Sequence, residues 1–242
     1  MANRVTTALV TGASRGLGRA LAVELAAEGV EVVAVARGEE ALARVVDQIR
    51  ADGGVAHGLP ADVGDPTSVH ALAGAAAAVV GPLDLLVHNA STLGAVPMPE
   101  LMATRWQDME RVLQVNLLGP FRLTQAMLGP MLLRRGGAVV AVSSDAAVEA
   151  YPGWGAYGVS KAALDHLMRV WAAELVDSGV RLITVDPGEM DTRMHADAMP
   201  EADPSTLADP AEVARWIVAR IADVRRMPNG SRLAALTPQV TL

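Results

Sequence analysis

An α/β fold, built as a doubly wound parallel sheet of about seven strands with helices on both faces, is what this sequence predicts, and three observations carry the prediction. Short apolar runs ending in glycine or polar residues alternate with segments whose apolar residues recur at helical spacing, the pattern of repeated βαβ units. Apolar residues make up 51% of the chain and aromatic residues only 3%. The core must therefore be built from Ala, Val and Leu, which suits buried strands between helices. The first apolar run also passes straight into a glycine turn and a helix.

That run is Thr6 to Val10, followed by Thr11-Gly12-Ala13-Ser14-Arg15-Gly16-Leu17-Gly18 and a helix with Leu17, Leu21 and Leu25 on one stripe. Such a turn lets backbone N–H groups at a helix N-terminus approach a pyrophosphate, as dinucleotide-binding folds do. The spacing is not G-x-G-x-x-G, and an ordinary tight turn would read the same way. Val30 to Ala36 is the second strand, and Leu42, Val45, Val46 and Ile49 form the buried face of the next helix. Where a protein preferring NAD places a carboxylate for the ribose hydroxyls, the sequence has Ala36-Arg37. Arg37, with Arg15 in the glycine turn, suits the 2′-phosphate of NADP; otherwise both are solvated surface arginines.

The third strand, Val55 to Pro60, closes in Ala61-Asp62-Val63. Asp65-Pro66 then reads as the N-cap and first position of an alanine-rich helix. The fourth strand, Asp84 to His88, is followed by Asn89-Ala90-Ser91. A helix rich in Trp106, Met109, Val112 and Leu113 carries Asn116 on its inner stripe, and Gly119-Pro120 bends or interrupts it. A buried asparagine must find partners, and satisfying a kinked backbone would be enough.

Ala138 to Val142 is the fifth strand, ending in Ser143-Ser144. Tyr157 heads the next helix, whose inner face is Leu164, Leu167, Met168, Trp171 and Leu175. The sixth strand, Arg181 to Val185, stops at Asp186-Pro187-Gly188. Met194 to Leu207 shows no period and reads as a mobile loop or short helix. Asp209-Pro210-Ala211-Glu212 is a capping box ahead of a helix burying Val213, Trp216, Ile217 and Ile221. Ser231 to Leu236 reads as a last strand.

Tyr157 and Lys161 lie one helical turn apart and share a face. A cation beside a phenol favours the phenolate and lowers a pKa that is ordinarily about 10, which makes tyrosine usable for proton transfer. Y-x-x-x-K alone is weak, since it is frequent on solvated helices. Ligands of doubly wound sheets bind outside the carboxyl ends of the strands, however, and there a strand-end serine and a tyrosine of the following helix can meet.

Composition excludes several alternatives. Without cysteine there is neither a disulfide framework nor a thiolate metal site, and the histidines at 57, 70, 88, 166 and 195 have no metal-ligand spacing. A net charge of −7 and a pI near 5.2 argue against nucleic acid as a partner. No apolar run reaches the roughly 20 residues needed to span a bilayer, and no signal-type apolar region separates Arg4 from the glycine turn. The expectation is a cytoplasmic protein whose 242 residues form a single domain.

Taken together, these residues resemble the short-chain dehydrogenase/reductase family, compact Rossmann-fold oxidoreductases that use a nicotinamide cofactor. The likeness runs from about Val5 to Thr192. Thr11 to Gly18 is similar to the family's T-G-x-x-x-G-x-G, Asp62 to its adenine-contacting aspartate, and Asn89-Ala90 to the core of N-N-A-G. Asn116, Ser144, Tyr157 and Lys161 coincide with its catalytic tetrad. Pro187-Gly188-Glu189-Met190-Asp191-Thr192 matches the loop that holds the nicotinamide carboxamide. His88 and Ser91 replace the outer residues of N-N-A-G, and the tail lacks the aromatic-x-T-G turn and terminal D-G-G.

The resemblance implies a cofactor site of Gly12, Ser14, Arg15, Gly16, Leu17, Gly18, Arg37, Asp62, Val63, Asn89, Ala90, Tyr157, Lys161, Pro187, Gly188, Met190 and Thr192. It further implies hydride transfer to or from a carbonyl or alcohol carbon, with NADP(H) preferred and NAD(H) possible. Tyr157 would act as acid, Ser144 would polarise the oxygen, Lys161 would tune Tyr157 and hold the ribose, and Asn116 would support a water linking Lys161 to solvent. Residues 1–90 would mainly hold cofactor, 91–242 catalysis and substrate, and 193–208 the substrate loop. Glu149, Tyr151, Trp154, Met190, Met194 and Met199 are candidates for the pocket wall. A homodimer or homotetramer is expected, because Leu117, Phe121, Leu132 and Val170 lie off the main helical stripes. The competing reading is a non-catalytic dinucleotide-binding sensor.

Overall fold

The computed structural model describes residues 5–235, so Leu236 and the atypical tail lie outside the described residues. Seven strands, β1 (Thr7–Thr11), β2 (Glu31–Ala36), β3 (Ala56–Pro60), β4 (Leu85–His88), β5 (Gly137–Val142), β6 (Val180–Asp186) and β7 (Arg232–Ala234), form one sheet in the order β3-β2-β1-β4-β5-β6-β7. Every pairing is parallel. The chain reverses its direction of travel across the sheet between β3 and β4, so β1 and β4 flank the switch point, where a crevice opens at the strands' carboxyl ends.

Continuous apolar strands make sense because successive residues feed opposite layers. Val32 and Ala34 join Ala8 and Val10 beneath α1 (Gly16–Ala27), α2 (Glu39–Ala51) and α8 (Pro210–Ala222), while Val33, Val35 and Leu9 face the other way. That second layer holds α3 (Ser68–Val80), α5 (Gly119–Leu133) and α6 (Gly155–Glu174). α4 (Trp106–Leu113) leads into α5, and α7 (Arg193–Ala198) follows β6. No helix among the described residues is long and apolar enough to cross a membrane.

Four local expectations are corrected. α3 begins at Ser68, because the Asp65 carboxylate accepts from the Thr67 backbone N–H and hydroxyl in a separate turn. The interruption between α4 and α5 is a π-helical turn, Gln114–Leu118, that precedes Gly119-Pro120. Trp216, expected on the buried face of α8, is only partly buried and is stacked by Arg220. The box at Asp209 forms by half: its carboxylate accepts from Ala211 N–H, whereas Glu212 turns toward Arg215.

Candidate active site

The glycine turn is held from beneath by polar side chains. Thr11 is buried; its hydroxyl donates to the Val87 carbonyl and accepts from the N–H groups of Asn89 and Ala90 at 3.0 and 3.1 Å. The Asn89 amide donates back to the Thr11 carbonyl at 2.9 Å. The turns after β1 and β4 thus become one unit. Gly12 has φ +69°, and a Cβ there would stand 2.8 Å from Ala90 Cα, while one on Gly18 would strike the Gly12 carbonyl and the Asn89 amide. Gly16 lies under Thr192, whose hydroxyl caps α7 by accepting from His195 N–H.

Ser14, Arg15 and Gly16 sit at the mouth of this turn, whereas Leu17 packs in the core and offers a ligand only its backbone. The N-cap residue of α1, Arg15, makes no side-chain cap, so its first-turn N–H groups have no side-chain acceptor there. Arg15 and Arg37 are exposed, and neither side chain has a hydrogen-bond or ion-pair partner among the described residues. Two cations and a free helix start at the mouth of the crevice fit a phosphorylated dinucleotide. Asp62 is already engaged: its carboxylate meets Arg111 at 2.6 Å and accepts from Gly64 N–H. Val63 is buried beside it.

At the other end, Ser144 follows β5, Tyr157 and Lys161 lie on α6, and Pro187, Gly188 and Met190 follow β6. Asn116 is buried in the π-helical turn, where its side-chain oxygen accepts from Thr92 N–H and its amide donates to the Thr92 carbonyl and the Ser160 hydroxyl, each at 2.9 Å. Ser160 in turn donates to the Tyr157 carbonyl. The side chain is thereby engaged in pinning the Thr92 loop to α6. The π-helical turn aims it inward.

Tyr157 is buried and its phenol is pushed up to about 12, first by burial and then by the charges of Asp145 and Asp186; the Ser144 and Ser91 hydroxyls, turned toward it, pull the other way. The expected lowering by Lys161 is therefore corrected. The ammonium lies 5.5 Å from the ring centroid and donates to the Val142 carbonyl at 2.7 Å, beneath the ring. Lys161 itself is lowered to about 8 by burial, against the pull of Asp165 and Asp186. A neutral phenol beside a serine hydroxyl is equipped to donate a proton to a developing alkoxide.

A cavity of about 460 Å³ is lined by Val96, Pro97, Met98 and Trp154 with the Ala196–Ala198 stretch of α7, and it meets the phenol only through Trp154, since none of Ser144, Tyr157 and Lys161 lines it. Trp154 meets Tyr157 edge-on at 5.8 Å, and Met194 packs on the same cluster. Residues 193–208 hold α7, the short helix that is one of the two readings of this stretch, and a 3-10 turn, Pro204–Thr206. Met190 packs on the core, while Glu149 and Met199 are exposed and outside the cavity wall. Tyr151 donates to Asp145 at 3.0 Å.

Sequence reasoning missed Asp145, Met98 and Arg232. It also missed a signal that was there to be counted: of 20 basic residues, Lys161 is the only lysine.

The family model described as short chain dehydrogenase matches residues 6–203. D-threitol dehydrogenase of Mycolicibacterium smegmatis is 37% identical over 238 residues, covering 93% of this chain and 89% of that protein. A short chain dehydrogenase of Pseudocercospora fijiensis is 36% identical over 193 residues, 78% of this chain but 61% of its own length. Among solved structures, a 3-oxoacyl (acyl-carrier-protein) reductase from Agrobacterium tumefaciens with NADP bound superposes with a TM-score of 0.84 at 30% identity, covering 96% of this chain and 93% of that one.

Proposed function

We propose that this chain, which belongs to the short chain dehydrogenase family, prefers NADPH and reduces a small carbonyl compound through Ser144 and Tyr157, with Lys161 beneath them. It is an oxidoreductase acting between a nicotinamide cofactor and an alcohol or carbonyl substrate. The observation that carries the finer reading is the convergence of a buried neutral phenol, a serine hydroxyl turned toward it and the chain's one lysine under its ring.

When bound, the nicotinamide supplies or takes up the hydride. Every other task falls to the protein. Ser144 donates a hydrogen bond to the substrate oxygen, and Tyr157 gives that oxygen its proton in the reducing direction or takes it in the oxidising one. Lys161 holds positive charge under the ring and would help to hold the ribose. Asn116 fixes the spacing of these groups. Main-chain N–H groups from Ser14 to Gly18 receive the pyrophosphate, Asp62 and Val63 the adenine end, Asn89 and Ala90 the sheet side, and Pro187, Gly188, Met190 and Thr192 the carboxamide.

The unpartnered Arg15 and Arg37, and alanine at position 36, support the NADPH preference, as does the NADP bound in the Agrobacterium structure. The chain acts as one cytoplasmic domain, residues 1–90 mainly for cofactor and 91–242 for catalysis and substrate. Val159 and Val170, 50% and 41% exposed on α6, support a homo-oligomer that sedimentation velocity will read as a dimer or larger at micromolar concentration.

Cofactor oxidation against a panel of ketones and quinones, with NADPH and NADH, tests the reading. Turnover with NADPH supports it. Binding of NADPH without turnover on any compound favours the sensor.

A further inference from the structure

Arg232 stands on the short last described strand, far in sequence from every other residue of the site, yet one guanidinium reaches three parts of it. Its Nε donates to the Asp165 carboxylate at 3.0 Å, one helical turn beyond Lys161 on α6. The same terminal nitrogen donates to the Asp186 carboxylate at 3.0 Å and to the Ser144 backbone carbonyl at 2.9 Å. Asp186 in turn accepts from Gly188 N–H at 3.1 Å, so the contact carries on into the turn after β6. The two aspartate side chains are only 9% and 12% exposed, and that of Arg232 only 29%.

The charges form a closed set. Asp165 on α6 and Asp186 at the end of β6 act on Lys161, whose ammonium also faces the Val142 carbonyl of β5 and the Tyr157 ring of its own helix. Asp145, after Ser144, acts on Tyr157. Two buried carboxylates against one ammonium would leave a net negative charge beneath the phenol. The Arg232 guanidinium makes the count two against two, in a setting where an uncompensated buried charge is costly. Its planar fork meets a carboxylate of the helix through Nε and a carboxylate of the strand and a carbonyl through one terminal nitrogen, donors held at a fixed spacing that a single ammonium nitrogen does not offer.

We propose that Arg232 is the positioning residue of this site: it fixes the main chain of Ser144 and the turn after β6, and it balances the two aspartates that flank Lys161. The proposal rests on the reading of Ser144, Tyr157 and Lys161 as the reacting set. It gives the last strand a task in the chemistry, beyond closing the edge of the sheet.

Because Lys161 is the only lysine, the full chain labelled with ¹³C at lysine Cε gives one side-chain resonance, and its titration reads the charge balance with no substrate present. In Arg232→Gln the lysine midpoint should rise by on the order of one pH unit. The double variant Arg232→Gln/Asp186→Asn restores the count of charges and should return it toward wild type. Turnover of a ketone that the wild type reduces should fall roughly 10- to 100-fold in kcat, the scale of a slightly misplaced reacting group.

Arg232→Lys adds a second lysine resonance, identified as the one that persists in Arg232→Lys/Lys161→Met; the Lys161 midpoint should recover and the rate only in part, and this variant serves also if the glutamine variant does not fold. An unchanged midpoint together with wild-type kcat in a folded Arg232 variant overturns the proposal. Failure of the underlying reading looks different: Ser144→Ala and Tyr157→Phe would then turn over normally whatever Arg232 does.

Discussion

The two ends of the crevice are built on opposite principles. At the glycine end the working groups are main-chain N–H groups of an uncapped helix start and two exposed, unpartnered arginines. At the catalytic end they are side chains, nearly all buried and tied to named partners: Asn116 to Thr92 and Ser160, Lys161 to Val142, and Arg232 to Asp165, Asp186 and Ser144. A pyrophosphate brings its own charge and needs only dipoles and mobile cations to receive it. A proton transfer needs a defined distance and a defined protonation state, and burial with fixed partners supplies both.

The largest expected effect lies at the buried end. Lys161→Ala removes the ammonium from between Tyr157, Asp165 and Asp186, leaving two carboxylates to face Arg232 alone. Turnover should fall by at least about 100-fold, and NADPH affinity should fall with it. Fluorescence titration and steady-state rates on one preparation check this; loss of rate with unchanged affinity would free the lysine from the cofactor.

The same contrast has a signature in stability. The Lys161 pKa is about 8 when folded and 10.5 in its ordinary state. Between those values the unfolded chain carries more protons than the folded one, so stability rises with pH through that window. Above about 10 the sign reverses, since unfolded Tyr157 loses a proton that the buried phenol keeps to about 12. The rise should be on the order of 2–3 kcal/mol. Denaturant unfolding at a series of pH values measures it, and Lys161→Met should flatten it.

At the glycine end, cofactor choice should be easy to change. An arginine–phosphate contact is worth about 1.5–3 kcal/mol, or roughly 10- to 100-fold in affinity. In kcat/KM the wild type should favour NADPH, and Ala36→Asp/Arg37→Ala should move it toward NADH. A wild type that favours NADH would remove the arginines from cofactor recognition.

The smallest effect lies away from both ends. Asp209→Ala deletes the cap of α8 and should cost about 1 kcal/mol with turnover unchanged. A larger loss would show that α8 supports the site through α1.

The two ends also differed in how well the sequence revealed them. Glycine turns and strand ends follow local rules, so the residues from Thr11 to Gly18, Asp62, Asn89-Ala90 and Pro187-Gly188 could be placed at the sheet's carboxyl edge from order alone. The capping rule misled at Asp65, because the carboxylate found acceptable donors in a turn three residues before the helix. Proline and glycine pointed to a kink at 119–120, but the π-helical turn lies just before them.

Charge balance was the least legible part. The direction of the Tyr157 shift depends on burial and on aspartates distant in sequence, and the partners of Arg232 lie 46 to 88 residues away. Helical spacing could pair Tyr157 with Lys161, but it could not show that the ammonium lies under the ring and donates to the Val142 carbonyl.

The central claim is that Tyr157 moves the proton. Its most direct test compares wild type and Tyr157→Phe on one ketone or quinone that the wild type reduces, recording NADPH affinity by fluorescence and turnover by NADPH oxidation. The account predicts unchanged affinity and a loss of turnover of at least the roughly 10²- to 10⁴-fold that a general acid contributes. Near-normal turnover in the phenylalanine variant would contradict it.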